Sequence, residues 1–464
     1  MRLRRVLESR LAAPLFALAL AAALVGAPAT AAPPRIERPP AAAVAVPAAE
    51  TVSAEQAFDH VEALAGQIGS RPGHTQAYFA AVAYAYDRFA ENGYRVTVED
   101  FTYRHWEDRG SWVEADGGRI DGRALRWSGV GDVAGVLVDV GLARPSDLGG
   151  RRLDGQIALA RRGEITFSAK AENVRAAGAL GLVVYNHESG ELNGALAGPQ
   201  PAPTPPRPAP PPIGHPAPGT RLAPVPASGY PAPDARFPVL GVTASEGERL
   251  LGAAGRGGFA RLVTSAVLED RLSSNVIAQG GDGPGRVMVG AHLDSVPMGP
   301  GANDNASGSA AVLELARVFA GRPEQARLSL ALFGAEEDGL IGSQHHVARL
   351  GAEGAGQYRA MLNLDMVAVG DRFEIGTTGE RSRDLAQRAI DAGRALGLRV
   401  GRFDASGASD HAPFAQAGVP AVMLHWREDP NYHRPTDTPS RIDPEKLAAT
   451  TRVAARVVEE LLGG

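Results

Sequence analysis

The chain of 464 residues has no cysteine at all. That excludes disulfides, thiolate-held zinc or iron–sulfur clusters, and a lipid-modified cysteine anchor. Lysine is almost missing: only Lys170 and Lys446 occur, and arginine carries the remaining positive charge. Such a skew reflects base composition rather than a binding surface, and with a formal net charge of -5 there is no electrostatic footprint for nucleic acid. No apolar run is long enough to span a bilayer; residues 11–25 fall short of the roughly 20 that a helix needs.

Those residues instead follow Arg2, Arg4, Arg5 and Arg10 and precede Ala29, Thr30 and Ala31. That order predicts a cleavable export signal over residues 1–31, and an exported protein of this size without cysteine is expected to be bacterial, secreted or periplasmic. Residues 32–52 are rich in alanine and proline and read as a disordered linker. Ser53 to Gln56 resembles a capping box, followed by a helical stripe of Phe58, Val61, Leu64 and Ile68. A second helix is expected over 75–92 and a strand over 94–101. Further on, 274–278 and 286–290 read as neighbouring strands, and 383–396 and 443–462 as helices, the last capped by Asp443. A content of 44% hydrophobic residues supports a large core in more than one domain.

Five residues carry the chemistry: His292, Asp304, Glu337, Asp365 and His433. His292 ends an apolar run with Asp294 two residues on, placed to back it up. Asp304 lies in a glycine-rich polar segment, residues 299–308, that opens a helix bearing Val312, Leu315 and Phe319. Glu336 and Glu337 follow the strand-like run 328–335; adjacent carboxylates there repel unless a cation or proton lies between them. Asp365 follows residues 361–364, and His433 follows 419–424. Every one of these residues therefore falls beyond the carboxyl end of an expected strand, the edge at which open α/β sheets bind ligands.

Taken singly, each is more often a cap, a turn residue or a satisfied polar group. Taken together, five such accidents at strand ends in one continuous α/β region are implausible. Imidazole and carboxylate without thiolate suit zinc, with manganese or cobalt tolerated. Three carboxylates and a hydroxide balance two divalent cations, whereas one cation would leave the site anionic. His345 and His346 show no acidic partner in register and read as a pair on a helix surface. Asp410 reads as a helix N-cap ahead of Pro413.

The segments around these residues, 291–295, 301–308, 333–337, 363–365 and 432–433, resemble the signature set of the zinc aminopeptidase family that includes aminopeptidase S, aminopeptidase Y and glutamate carboxypeptidase II. The resemblance implies two Zn2+ per chain, one held by His292 and Asp365, the other by Glu337 and His433, with Asp304 between them. It also implies Glu336 as general base, Tyr432 as oxyanion donor, and a strained peptide bond after Asp304, of a kind that can be cis. Substrates would be peptides or proteins with a free N-terminus, and the enzyme a monomer without membrane anchor or nucleic-acid partner. A carboxypeptidase or dipeptidase of the same superfamily, a single-zinc glutaminyl cyclase and a non-catalytic receptor-like relative are the competing readings.

Residues 130–261 read as an insertion between two parts of the catalytic domain, 53–129 and 262–464. Strand, helix and strand signals at 153–163, 167–179 and 180–186 resemble a protease-associated domain. Within it, residues 199–238 are rich in proline and read as a mobile loop. The expected fold is α/β: a mixed, mainly parallel sheet sandwiched by helices, with this β-rich domain inserted.

Overall fold

The apolar runs near the site become strands with no exposed residue. Arg286–His292 and Leu328–Phe333 are buried along their whole length, the mark of parallel strands covered on both faces. Successive side chains point to opposite faces. Val287, Val289 and Ala291 join one core with Leu328 and Leu330, whereas Met288, Ala331 and Phe333 join another with Phe414 and Ala421. The first core is roofed by helices Ala54–Val61, Gly308–Phe319 and Pro444–Leu462. Helices Ile341–Ala355 and His411–Gln416 close the second.

The computed structural model describes residues 46–463 apart from 189, 193, 197–236, 406 and 408. The expected export signal and nearly all of the proline-rich segment lie outside these residues. The eight-stranded sheet runs, edge to edge, Arg95–Asp108, Ala266–Gln279, Leu328–Phe333, Arg286–His292, Tyr358–Leu364, Ala421–Arg427, Arg372–Thr377 and Val400–Asp404. The four central strands are mutually parallel. The chain leaves Arg286–His292 for Leu328–Phe333 on one side and returns to Tyr358–Leu364 on the other. That reversal opens a crevice at the carboxyl ends of the strands.

The first two strands form a 14-residue antiparallel ribbon, Asp108 pairing with Ala266 at its tip. Between Asp108 and Ala266 lies a closed seven-stranded barrel with its own cores. The barrel begins earlier than the expected 130, because Ser111–Ala115 and Gly118–Ala124 pair into it, the first of them with Phe259–Thr264. Short alternating strands split by the tight turn at Asp116 and Gly117, both at positive φ, gave the sequence no domain mark there.

Two further expectations need correction. Part of the supposed linker is ordered: Ala48–Thr51 forms a 3-10 turn, and Ala48, Ala49 and Val52 are buried in the main core. His346 is not on a surface; it is 3% exposed and its Nδ1 lies 2.9 Å from Glu99 Oε2. The partner comes from the neighbouring strand, so no helical register could reveal it, and His345 stacks on Phe101.

Burial works against a charged Glu99, but the contact with His346 outweighs it and holds the carboxyl down to about 2. A depressed acid stabilises the fold above its unfolded pKa and loses that stabilisation as pH falls through the folded value. Glu99→Gln is therefore expected to cost about 3 kcal/mol at neutral pH. The gap should close between pH 4.5 and 2. Urea midpoints of parent and variant across that range would measure it, and a gap independent of pH would refute the assignment.

Candidate metal centre

The strand ends bring all five sequence-selected residues into one cluster. His292 closes its strand, and its Nδ1 lies 3.1 Å from the main-chain carbonyl of Asp294, which turns Nε2 into the crevice. From there Nε2 is 3.2 Å from Asp304 Oδ1 and 3.5 Å from Asp365 Oδ1. On the other side, His433 Nε2 is 3.1 Å from Asp304 Oδ2 and 3.2 Å from Glu337 Oε2. Asp304 thus presents Oδ1 to His292, which also faces Asp365, and Oδ2 to His433, which also faces Glu337.

The loops are held by residues that the sequence did not single out. Asp437 accepts from the backbone N–H of Asn303 at 2.8 Å and of Asp304 at 3.1 Å. Asn305 Oδ1 accepts from Gly308 and Met366, and its amide donates to Leu364 O, tying the Asp304 segment to the one that bears Asp365. The Asp304–Asn305 peptide is cis. Gly301 is at φ 60, and a Cβ there would sit 2.4 Å from Asp304 O, so no other residue lets the segment fold back this tightly.

Arg71 is fully buried and donates to the carbonyls of Leu293, Pro300 and Gly301. Burial lowers its pKa to about 10, still a cation among Asp294, Asp437 and Asp304. Nothing in local sequence marks it, because the carbonyls of Leu293, Pro300 and Gly301 lie more than 200 positions away.

Asp294 acts differently from expectation. Its carboxylate is 3.7 Å from His292 Nδ1, too far for a hydrogen bond. It accepts instead from the backbone N–H groups of Glu336 and Glu337, at 3.1 and 3.2 Å, and so fixes the loop that aims both glutamates. Asp410 occupies the first position before its helix, yet its side chain makes no cap bond. It is buried, and burial together with the charges of Asp294 and Asp365 pushes its carboxyl up to about 7. Tyr432 is half exposed with its ring stacked on His433, and burial of its hydroxyl end, then the nearby carboxylates, keep the phenol protonated.

The cluster has the electrostatics of a cation site. Burial, then the Asp304 charge, pushes Glu337 up to about 7. Burial opposes a charged His433, yet hydrogen bonds to Asp304 and Glu337 lift it to about 10. Glu337 Oε1 and Asp365 Oδ1 are buried without a donor. Among the described residues no lysine or arginine is paired with Asp304, Glu337 or Asp365. Anions so placed need positive charge from outside the protein, and the donor set, two imidazoles and three carboxylates, fits divalent zinc.

Residues 275–458 match the profile of Peptidase family M28, and residues 133–250 match the PA domain. The chain belongs to peptidase family M28 and carries an inserted PA domain. The M28 protein is 30% identical over 329 residues to aminopeptidase YwaD of Bacillus subtilis, an alignment covering 66% of this chain and 62% of that protein. It is 28% identical to the probable lipoprotein aminopeptidase LpqL of Mycobacterium tuberculosis, over 93% of this chain and 90% of that one. Its fold is similar to that of an aminopeptidase from Aneurinibacillus sp. strain AM-1, with a TM-score of 0.72 and 28% identity over 89% of this chain and 94% of the other. Among the described residues no helix is long and apolar enough to cross a membrane.

Proposed function

We propose that this M28 protein is an exported di-zinc aminopeptidase that removes N-terminal residues from peptides. The observation that carries the reading is the division of donors about Asp304: Oδ1 faces His292, which also faces Asp365, and Oδ2 faces His433, which also faces Glu337. Two sets sharing one bridging carboxylate match two cations better than one. A pair of divalent cations bound there would supply Lewis acidity and a water acidified towards neutrality.

The chain's own residues supply the rest. Glu336 Oε2 is 4.0 Å from His292 Nε2 and lies close to both His292 and Asp365, lining the crevice beside that half of the donor set. Burial and the neighbouring Glu337 charge hold its pKa well above that of a free glutamate, the property of a base that takes a proton from water and returns it to a leaving amine. The Tyr432 phenol, kept protonated, can donate to the oxygen of a carbonyl under attack. Export rests on the residue pattern of 1–31, and the amino-terminal direction on the relatives' names.

The purified protein is expected to hold two zinc equivalents and to lose activity to a chelator. A panel of aminoacyl, N-blocked and carboxyl-terminal substrates on the zinc-loaded protein should show cleavage of the first class only. One firmly bound equivalent in a fully active preparation would overturn the two-cation reading, and cleavage of N-blocked peptides would overturn the aminopeptidase.

A further inference from the structure

The inserted barrel reaches the glutamate loop through the side chain of Arg126. Arg126 follows the barrel strand Gly118–Ala124, and its backbone is bonded into the insert: its N–H donates to Gly194 O and its carbonyl accepts from Leu196. Its guanidinium points out of the insert. Nη1 donates to Glu337 O at 2.9 Å and Nη2 to Asp338 Oδ1 at 2.7 Å. The pair is mostly buried, with side chains 21% and 13% exposed.

Asp338 is at the same time held from the long ribbon of the central sheet. Tyr103 donates to Oδ2 at 2.5 Å, and His105 Nδ1 lies 3.1 Å from Oδ1. Together with Asp294, which accepts from the Glu336 and Glu337 N–H groups on the inner side, the loop that bears Glu336, Glu337 and Asp338 is gripped from three directions. Among the described residues, the grip of Arg126 is the one that comes from the insert.

We infer that Arg126 is a positioning residue through which the inserted barrel sets the placement of Glu337. It touches neither substrate nor the Glu337 carboxylate, and acts by fixing the peptide unit that follows Glu337 and the side chain after it. The insert is then part of the machinery that shapes the centre, not only a cover beside it. A planar fork reaching two acceptors at once is what the geometry uses, and an ammonium cannot reproduce it.

The inference rests on Glu337 being a metal ligand, so the test includes a control for that premise. Zinc affinity would be measured by competition with a chromophoric chelator, together with kcat, KM and thermal midpoint, for the full chain and the variants Arg126→Ala, Arg126→Lys and Glu337→Ala. Arg261→Ala, which removes an exposed barrel ion pair with Asp132, controls for damage to the insert. Arg126→Ala is expected to weaken one of the two zinc equivalents by about 10-fold or more, the usual scale for groups that orient a ligand, and to lower kcat more than it raises KM. Arg126→Lys should fall with the alanine variant, and Arg261→Ala with the parent. The inference is overturned if Arg126→Ala keeps parental zinc affinity and kcat, or if Arg126→Lys matches the parent, which would leave charge alone as the cause. If Glu337→Ala retains both equivalents, the metal reading itself fails; if it loses one while Arg126→Ala changes nothing, the role given to Arg126 fails alone.

Discussion

Glu336→Gln is expected to lower turnover of an aminoacyl anilide by about 100-fold to 10,000-fold, the range for a lost general acid–base group, while both zinc equivalents stay bound. Glutamine keeps the size and buried position of the side chain but cannot accept and return a proton. KM should change little, because Glu336 is assigned the proton transfer rather than the binding of substrate. Glu337→Ala should behave in the opposite way. It removes one of the two protein contacts to the His433 side, so one zinc weakens and activity is lost with it, recovering in part at excess zinc. The two residues are adjacent, both mostly buried with side chains 12% and 14% exposed, and held through their backbone N–H groups by the same Asp294 carboxylate. Zinc content and turnover measured side by side separate them; loss of zinc in Glu336→Gln with retention in Glu337→Ala would reverse the roles.

The sequence made the sheet legible where both of its faces are buried. Continuous apolar runs ending at a histidine or an acid mark the strands of the crevice, and the side-chain period places their last residues at one edge. What stayed hidden depends on contacts between distant residues. His346 looks unpartnered along its helix and meets Glu99 across 247 positions. Arg71 reads as one arginine among many, yet it joins the segments bearing His292 and Asp304. Asp294 could be placed near His292 by spacing, but only the fold turns its carboxylate to the glutamate loop. The start of the barrel was hidden for a different reason: a strand that leaves one sheet and enters a barrel keeps its alternation, so composition shows no seam between Asp108 and Ser111.

Asp304→Ala is expected to have the widest effect of any single change, because it removes a contact from both halves of the centre at once. The side chain is 6% exposed. Its backbone N–H is held by Asp437 and its neighbour Asn305 by the Leu364, Gly308 and Met366 peptide groups, so the loop should survive the substitution. What is lost is one carboxylate serving two sites, with Glu337 and Asp365 left to repel each other across the gap. Zinc retention should drop below one equivalent after dialysis, and turnover should fall by at least about 1,000-fold, consistent with the several kcal/mol that metal Lewis acidity contributes to a transition state. Asp304→Asn is the sharper probe. It keeps the shape and one oxygen and offers an amide nitrogen where the second oxygen was, so one half should retain its zinc while the other loses it. If Asp304→Asn binds two equivalents as tightly as the parent, or Asp304→Ala keeps one site at parental affinity, then Asp304 does not bridge and the two sets of donors are independent.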